Sequence, residues 1–415
     1  MRSIVILTGS HLCHNPRALH SAETLARNGY RVEVLGAWTD CLLKVRDEEI
    51  VAAAPFTFTP VVDTTKHRAR RTATRVRRKL GMMAAEFLNW ENPWQLAYFY
   101  SELRASALAR SADLYIAHYE PALAIAVELL EARKRVSVDF ADWFSEDLPP
   151  DAPRQKPLRL LRSLEQAALG RSAFTSCPSW SMRQALADEY RCRAPIVIYN
   201  AFRWTDRNAI DGVHKDRRNL AIPSVHWFSQ TLGPGRGLED LLAALPRLDR
   251  EIEIHLRGTP APGFDDWLRS HIPEAWKQRM FLHPLVPSGE LLSRIAEHDI
   301  GFAGELTCCR SRELTVTNKI LQYLLAGLAV VASDTTGQRE VCERAPGAIA
   351  YYKVGQAHAL AASLNQLIRC PKALQMAKAT ALETARNVFS WERQEPVLLD
   401  VVAQSFSAED ANSDP

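Results

Sequence analysis

Residues 312–331 read RELTVTNKILQYLLAGLAVV, and this stretch contains a helix start, a helix end and the strand that follows. Thr317 is a favourable N-cap residue, and Gly327 is the residue type that most often ends a helix. The short apolar run after Gly327 carries no charge, which is typical of a strand buried on both faces of a parallel sheet. The stretch therefore predicts a helix over 318–326 and a buried strand over 329–332.

The same alternation of strands and helices extends along the chain in both directions. In the second half, the other candidate strands are 225–228, 251–256, 281–283 and 300–302. In the first half they are 4–7, 31–35, 113–117, 135–140 and 196–199. Strands that alternate with helices favour a parallel sheet covered by helices. We therefore predict an α/β protein with two Rossmann-like domains that face each other across a cleft.

The domain boundaries follow from length and from local changes in composition. A chain of 415 residues is long enough for roughly two to three domains. Residues 203–223 are polar and charged, and we interpret them as an interdomain linker between an N-terminal domain over 1–202 and a C-terminal domain over 224–385. The polar end of the chain, 406–415, is predicted to be a disordered tail.

The composition is that of an ordinary globular protein, with 47% hydrophobic and 24% charged residues. The net charge of +3 argues against a dedicated nucleic-acid-binding protein, so we expect no nucleic-acid partner. The eight cysteines form no C-x-x-C pair and no zinc-site spacing, which favours reduced thiols of a cytosolic protein.

Targeting signals are not apparent in the sequence. The apolar run at the N-terminus is too short for the core of a signal peptide. No run approaches the roughly 20 apolar residues that span a bilayer. We expect a cytoplasmic protein, either dissolved or bound peripherally at the inner membrane surface.

The start of the predicted helix at Asn318 is a candidate diphosphate site. The first turn of a helix offers free backbone N–H groups and a positive dipole end, both of which suit an anion, and Lys319 adds a positive charge. Gln322 lies one turn after Asn318 on the same face, where its amide can bond a ribose hydroxyl. The alternative interpretation is a helix capped by Thr317, with Lys319 exposed to solvent.

A second candidate is the glycine-rich loop FSQTLGPGRGL at residues 228–238, between a predicted strand and a predicted helix. Glycines such as Gly235 let the backbone approach a phosphate closely, and Arg236 can bind a phosphate with two hydrogen bonds. The alternative is an ordinary turn between a strand and a helix.

The loop after the first strand, TGSHLCHNPR at residues 8–17, has the composition of a ligand-facing loop. It lacks the G-x-G-x-x-G pattern of dinucleotide-binding proteins. His118 follows a later strand and is a candidate contact for a transferred sugar, although a single histidine is more often structural. Asp139 and Asp142 lie at the end of the next strand.

Residues 66–79 contain eight Lys or Arg residues and no acid. Val76, Leu80, Met83 and Phe87 follow at helical spacing, so the range 66–87 predicts a basic amphipathic helix that contacts an anionic membrane surface or attracts an acidic acceptor. The alternative is a solvated face above ordinary core contacts. No D-x-D motif follows a predicted strand, and we expect neither a metal ion nor another cofactor.

Several of these segments together resemble the family-four type of retaining glycosyltransferases, which have the GT-B fold. The similar segments are 15–30, 112–118, 139–142, 144–146, 236–242, 318–327, 330–334, 337–341 and 389–392. The resemblance implies a transfer that retains the anomeric configuration without an essential metal, and a closing helix over 386–405 that packs back on the N-terminal domain. The implied site residues are His118, Arg236 and Lys319 as catalytic groups; Gly9, Ser10, Gly235, Thr317, Asn318 and Gln322 as donor-binding groups; and His14, Arg17 and Asp142 on the acceptor side.

The function that we predict is transfer of a hexose-type sugar from a nucleotide-diphosphate sugar to a glycan, lipid-linked or small-molecule acceptor. A non-catalytic GT-B subunit that binds a partner transferase is the alternative, because Leu314 and Gln322 stand where the family commonly has two glutamates, and Thr231 where it commonly has an arginine. A nucleotide-sugar epimerase with the same fold is a third hypothesis, but the extra acidic and histidine groups expected of an epimerase are not identified.

Overall fold

A computed structural model gives the fold and describes residues 1–66, 68–148 and 156–410. The chain divides into two compact units. The first consists of Met1–Ile198 together with the segment that begins at Glu395, and the second consists of Tyr199–Gln394. Each unit contains a parallel sheet whose strands alternate with helices, as the sequence predicts.

The first unit begins with a strand and continues as an α/β series. Its strands are β1 (Ser3–Thr8), β2 (Arg31–Trp38), β3 (Thr57–Asp63), β4 (Leu114–His118), β5 (Val136–Asp139), β6 (Thr175–Cys177) and β7 (Ile196–Val197). Its helices are α1 (Pro16–Arg27), α2 (Cys41–Ala52), α3 (Arg68–Leu88), α4 (Tyr100–Leu108), α5 (Glu120–Glu131), α6 (Leu158–Arg171) and α7 (Trp180–Tyr190). Short 3-10 turns lie at Leu12–His14, Pro93–Gln95 and Phe144–Glu146.

The first sheet has the order β3-β2-β1-β4-β5-β6-β7 within the described residues, and its paired strands are parallel. The order reverses between β1 and β4, where Thr8 pairs with His118. Loops that leave the carboxyl ends of two such strands diverge to opposite faces of the sheet, which makes this point the usual ligand site of an open α/β sheet. The fold therefore brings the loop after Thr8 beside His118.

The second unit repeats this arrangement with six strands among the described residues. They are β8 (Ser224–Leu232), β9 (Glu253–Pro260), β10 (Met280–His283), β11 (Ile300–Ala303), β12 (Ala329–Ser333) and β13 (Ile349–Tyr352). The helices are α8 (Leu238–Ala244), α9 (Phe264–His271), α10 (Ser288–Ala296), α11 (Arg310–Leu314), α12 (Asn318–Ala326), α13 (Thr336–Arg344), α14 (Ala357–Arg369) and α15 (Pro371–Asn387). Short 3-10 turns lie at Trp204–Ala209, Leu245–Arg247 and Glu274–Trp276.

The second sheet has the order β10-β9-β8-β11-β12-β13, again with parallel pairs, and the order reverses between β8 and β11. Its core includes Trp227, Leu256 and Phe302, which are fully buried. The loops after β8 and β11 therefore leave the sheet side by side, at its second reversal point.

The opposite face of β8–β10 is polar. His226, His255 and Arg257 are buried there, and residues 203–223 pack on the same unit. Asp216 forms an ion pair with Arg257, and Arg217 binds Glu253 at 3.0 Å. We predicted residues 203–223 to be an interdomain linker, but the structure instead makes them part of the second unit, held by buried ion pairs.

The last helix, α16, runs over Trp391–Asp410 rather than the predicted 386–405. Thr24 of α1 donates a hydrogen bond to Glu395, and the buried ring of Phe406 stacks on Tyr30 at 6.0 Å. The predicted tail over 406–415 is therefore corrected: residues 406–410 continue the helix because Phe406 is anchored in the first unit. Residues 411–415 lie outside the described residues.

Candidate functional site

The loops after β8 and β11 touch in the second unit. Gly237 adopts a φ of +78°, and a Cβ atom there would lie 2.1 Å from the carbonyl oxygen of Gly304. A side chain at position 237 would be strained and would also clash with backbone, so the close approach of the loops requires glycine. This contact places the Arg236 loop directly against the turn that contains Glu305.

Arg236 is exposed at the tip of its loop, and its Nη1 donates a hydrogen bond to Ser229 Oγ at 3.0 Å. The backbone N–H of Gly235 donates to Glu239 Oε1 at 2.9 Å. The predicted donor-binding role of Gly235 therefore requires this N–H to leave Glu239, whereas Arg236 already presents its guanidinium at the surface.

Lys319 lies in the first turn of α12. The alternative interpretation, a capped helix, predicts that Lys319 is exposed to solvent, but its side chain is mostly buried. Its side chain is 14% exposed, and Nζ donates to Glu305 Oε1 at 2.9 Å. Burial raises the pKa of Glu305, but the charges of Lys319, Arg312 and Arg236 outweigh burial and hold its pKa below the ordinary value. Glu305 is therefore an ionised carboxylate among basic side chains.

The start of α12 confirms the predicted helix bounds. Thr317 is the N-cap residue, but its side chain makes no capping bond, and its buried hydroxyl oxygen has no partner among the described residues. Asn318 is exposed and Gln322 is half-buried. The first-turn N–H groups thus lack a side-chain cap, which leaves them available to an anion.

Glu313, next to the Leu314 position, has a structural role. Its carboxylate accepts hydrogen bonds from the N–H of Thr336 at 2.9 Å and from the Thr336 hydroxyl at 2.7 Å. A carboxylate at a helix start stabilises that helix, here α13. Glu313 therefore serves α13 rather than the start of α12.

In the first unit, Asp139 is the centre of a buried polar network. Arg17 binds both of its carboxylate oxygens, one of them through Nε at 2.7 Å, and Ser176 donates to Asp139 at 2.6 Å. Burial raises the pKa of Asp139, but Arg17 and His118 outweigh it and hold the pKa well below its ordinary range. Arg17 also donates to the carbonyl of Ile198 at 2.6 Å and is only 4% exposed. We predicted Arg17 to contact an acceptor, but this burial instead makes it a support for Asp139.

His118 is oriented by the same carboxylate. Its Nδ1 lies 3.1 Å from Asp139 Oδ2, and its buried Nε2 has no hydrogen-bond partner among the described residues. In the neutral form of the ring, an ionised acceptor at Nδ1 selects the tautomer with the proton on Nδ1, which leaves Nε2 as an acceptor. His118 is therefore preorganised to accept one hydrogen bond from a ligand.

The loop after β1 packs closely on the start of α5. A Cβ atom on Gly9 would lie 2.6 Å from Pro121, and Ser10 Oγ donates to the carbonyl of His11 at 3.1 Å. The His14 carbonyl accepts from Tyr119 at 3.2 Å, while burial and the neighbouring His11 lower the pKa of His14.

Asp142 is half-buried close to Tyr119. Burial first, and then the charge of Asp142, raise the pKa of Tyr119 to about 12. Asp142 thus adds negative charge on the side of the first unit where the sequence predicts acceptor contacts.

Sequence reasoning missed two acids that hold these loops. Glu305 follows β11 directly, so a search of every strand's carboxyl end would have found it. Asp47 lies in α2 and binds His11 Nδ1 at 2.7 Å and the N–H of Cys13 at 2.8 Å. No local pattern marks Asp47, because its partners lie more than thirty positions away. Within the described ranges, no group of three or more His, Cys, Asp or Glu side chains has metal-binding geometry.

Comparison with known proteins gives the fold. No protein-family model and no curated protein matches this sequence. HepE from Anabaena, solved with UDP and glucose, superposes with a TM-score of 0.67 at 18% identity, covering 98% of this chain and 100% of that one. Sucrose-phosphate synthase from Thermosynechococcus elongatus gives 0.69 at 13% identity, with the same coverage. Trehalose 6-phosphate synthase from Burkholderia multivorans gives 0.67 at 13% identity, covering 100% and 99%.

The chain has the GT-B fold. The predicted fold class, an α/β protein of two Rossmann-like domains, is confirmed. Within this GT-B fold, the Arg236 loop, the Glu305 turn and Lys319 meet at the β8–β11 reversal point, and the loop after β1 lies beside His118 at the β1–β4 reversal point. The roles assigned to these residues stay predictions.

Proposed function

We propose that the chain is a retaining glycosyltransferase that moves a hexose-type sugar from a nucleotide-diphosphate sugar to a glycan, lipid-linked or small-molecule acceptor. The observation that carries this proposal is the meeting of the Arg236 loop, the Glu305 turn and the uncapped start of α12 at one reversal point of a parallel sheet. Such points bind ligands at the carboxyl ends of strands, and helix starts bind phosphates.

The proposed donor site stabilises the negative charge that develops on the leaving group. When the bond between the anomeric carbon and the diphosphate breaks, negative charge develops on the leaving diphosphate oxygens. Lys319, Arg236 and the first N–H groups of α12 are donors that stabilise this charge, and such fixed donors need little rearrangement during the reaction. We propose that these groups replace a metal ion, so that chelator treatment leaves transfer unchanged.

His118 is proposed to bind the transferred sugar. Its Nε2 is an acceptor held in place by Asp139, and a sugar hydroxyl is a matching donor. Arg17 supports His118 through Asp139, while His14 and Asp142 are proposed to face the acceptor.

UDP is proposed as the first donor nucleotide to test. HepE was solved with UDP, with UDP and glucose, and with UDP-glucose, and a trehalose-phosphate synthase from Burkholderia xenovorans is named as UDP-forming. These properties belong to those proteins and supply the hypothesis for this one.

We also propose a peripheral, cytoplasmic-side membrane contact through residues 66–87. None of the described helices is long and apolar enough to cross a membrane. Several large apolar side chains of α3 are nevertheless exposed, among them Leu80 at 54% and Phe87 at 72%. Lys66 and residue 67 precede α3; residue 67 and the side chains of 68–70 lie outside the described part.

A thermal-shift screen against UDP, GDP, ADP, dTDP and their sugars tests the function. A ligand that binds the folded protein raises its melting temperature, so one nucleotide and its sugar should stabilise the chain. The His118→Ala variant should keep this stabilisation and lose transfer. Stabilisation without transfer to any acceptor would favour the non-catalytic subunit, and failure of every nucleotide would contradict the donor site.

A further inference from the structure

Glu305 is an acid at the centre of a site proposed to bind an anion. Its side chain is 12% exposed and lies 2.9 Å from Lys319 Nζ, and Arg312 Nη1 lies 3.9 Å away. The backbone also fixes this turn, because the Glu305 carbonyl accepts from the Ser333 hydroxyl at 2.6 Å. The carboxylate is thus held beside the cation that a diphosphate would approach.

The ion pair with Glu305 holds the Lys319 side chain in place. Its ammonium group contacts Glu305 and lies 4.9 Å from the centre of the Trp227 ring. A flexible lysine side chain loses rotamer freedom when it is held in this way, so the ligand does not have to order it on binding. A phosphate that binds Lys319 meets the charge of Glu305 at the same time, and like charges repel.

This repulsion distinguishes donor from product. A nucleoside diphosphate carries about one more negative charge than its sugar ester, because its terminal phosphate ionises a second time with a pKa of about 6. Glu305 therefore opposes the product more strongly than the donor. We propose, on the basis of the function proposed above, that Glu305 is a positioning residue that holds Lys319 at the diphosphate site and opposes retention of the nucleoside diphosphate released by transfer.

Titration calorimetry with UDP, UDP-glucose and inorganic diphosphate tests this proposal on the wild type and the Glu305→Gln variant. Glutamine keeps the shape and can still accept from Lys319, but it removes the negative charge. UDP and inorganic diphosphate should bind the variant about tenfold more tightly, while UDP-glucose should change by about threefold or less. Glu305→Asp, which retains the charge, should restore wild-type preference for UDP-glucose over UDP.

Glu251→Gln is the matched control, because Glu251 is exposed and pairs with Arg279 outside the site. It should leave all three affinities unchanged. If Glu305→Gln lowers the affinity for all three ligands equally and also lowers the melting temperature, Glu305 has only a structural role and the proposal is overturned. Unchanged affinities for all three ligands would also overturn it.

The titrations distinguish failure of the proposed donor function from failure of the proposed role of Glu305. If UDP-glucose does not bind but Glu305→Gln still binds inorganic diphosphate more tightly than the wild type does, the proposed uridine donor is wrong and the proposed role of Glu305 is supported. If the wild type transfers sugar and the variant shows no altered preference, only the role of Glu305 is overturned. If no phosphate compound binds either protein, the diphosphate site and the role of Glu305 both fall.

Discussion

At the scale of single residues, Gln322 is predicted to bind the ribose of the nucleotide. It lies one helical turn after Asn318, and a neutral amide forms a weaker hydrogen bond to a ribose hydroxyl than a carboxylate does. Gln322→Glu is expected to tighten nucleoside diphosphate binding about fivefold, because one neutral bond becomes charge-assisted. Calorimetry measures the change.

Inorganic diphosphate is the control ligand for Gln322→Glu, since it has no ribose. Its affinity should stay the same or fall slightly because of the added negative charge. A variant that binds the nucleotide no more tightly than the wild type would show that Gln322 does not contact the ribose.

Asp139 is the residue on which the first unit's site depends. It is 3% exposed and bonded to Arg17, His118 and Ser176. Asp139→Asn leaves the buried Arg17 charge uncompensated, so the free energy of unfolding should fall by roughly 3–5 kcal/mol. Urea denaturation checks this, with the exposed Asp188→Asn as a control expected to change stability by about 0.5 kcal/mol or less. A small effect of Asp139→Asn would contradict the buried network.

At the scale of elements, the exposure of α3 bears on two interpretations that the sequence leaves open. A solvated helix above the core would bury its apolar stripe, but Val76, Leu80, Met83 and Phe87 are exposed by 42–72%. Trp90 and Tyr98 prolong the exposed surface beyond the helix. Basic residues such as Arg75 and Lys79 flank the stripe, and this combination suits an anionic bilayer.

Flotation with phosphatidylcholine vesicles, with and without phosphatidylglycerol, tests α3. The Val76→Ser, Leu80→Ser and Phe87→Ser triple variant should lose most of the binding to anionic vesicles. Leu220→Ser with Met376→Ser is the control, because both residues are 62% exposed outside α3. Equal flotation of wild type and triple variant would contradict a membrane role for the helix.

The sequence predicts the helices and strands better than it predicts contacts between residues that lie far apart along the chain. Strong apolar runs identified β1, β4, β8 and β12, whereas β3, β6 and β13 were missed because they are short or lack a continuous apolar pattern. The site residues at strand ends were predictable, since parallel strands bring their carboxyl ends to one edge. The burial of Arg17 was not, because its partners Asp139 and Ile198 lie far along the chain and only packing brings them together.

At the scale of the whole molecule, stability should depend on pH through the histidine face of the second sheet. His226 stacks on His298 at 4.6 Å, and His255 stacks on His283 at 5.2 Å. The groups that face them are Glu253 and Arg257 on β9, Asp216 and Arg217 of the preceding segment, and Tyr323 on α12. Burial lowers the pKa of all four histidines. Neighbouring cations lower the pKa of His226 and His298 further, whereas Glu253 and Asp216 partly oppose the effect of burial at His255 and His283.

Proton binding determines whether stability rises or falls with pH. Below pH 6.5 the unfolded chain takes up protons that the folded histidines exclude, so stability is full above that pH and falls as the pH drops. For His255, burial lowers the pKa to about 4 in the folded state, so its share of the loss develops as the pH falls below 6.5. Below pH 4, protonation of Asp139 adds a further loss, because its pKa is lowered in the folded state.

His226→Phe should flatten this dependence. Both ring nitrogens of His226 are buried without a partner among the described residues, so phenylalanine removes a titrating group without breaking a bond. Urea denaturation at pH 7.5 and pH 5 measures the difference, with the exposed His358→Asn as a control that keeps the wild-type slope. A variant whose stability falls with pH as steeply as the wild type would contradict the role of the cluster.

The second unit is proposed to bind a nucleoside diphosphate at Arg236 and Lys319. The most direct measurement is the affinity of the nucleotide that most stabilises the wild type, compared with the Arg236→Ala, Lys319→Ala double variant. The control is Arg269→Ala with Lys277→Ala, which removes one arginine and one lysine that pair with acids elsewhere in the same unit. We predict wild-type affinity in the control and at least about a hundredfold loss in the double variant, since each phosphate contact is worth roughly tenfold. Equal affinity of the double variant and the wild type would contradict the claim.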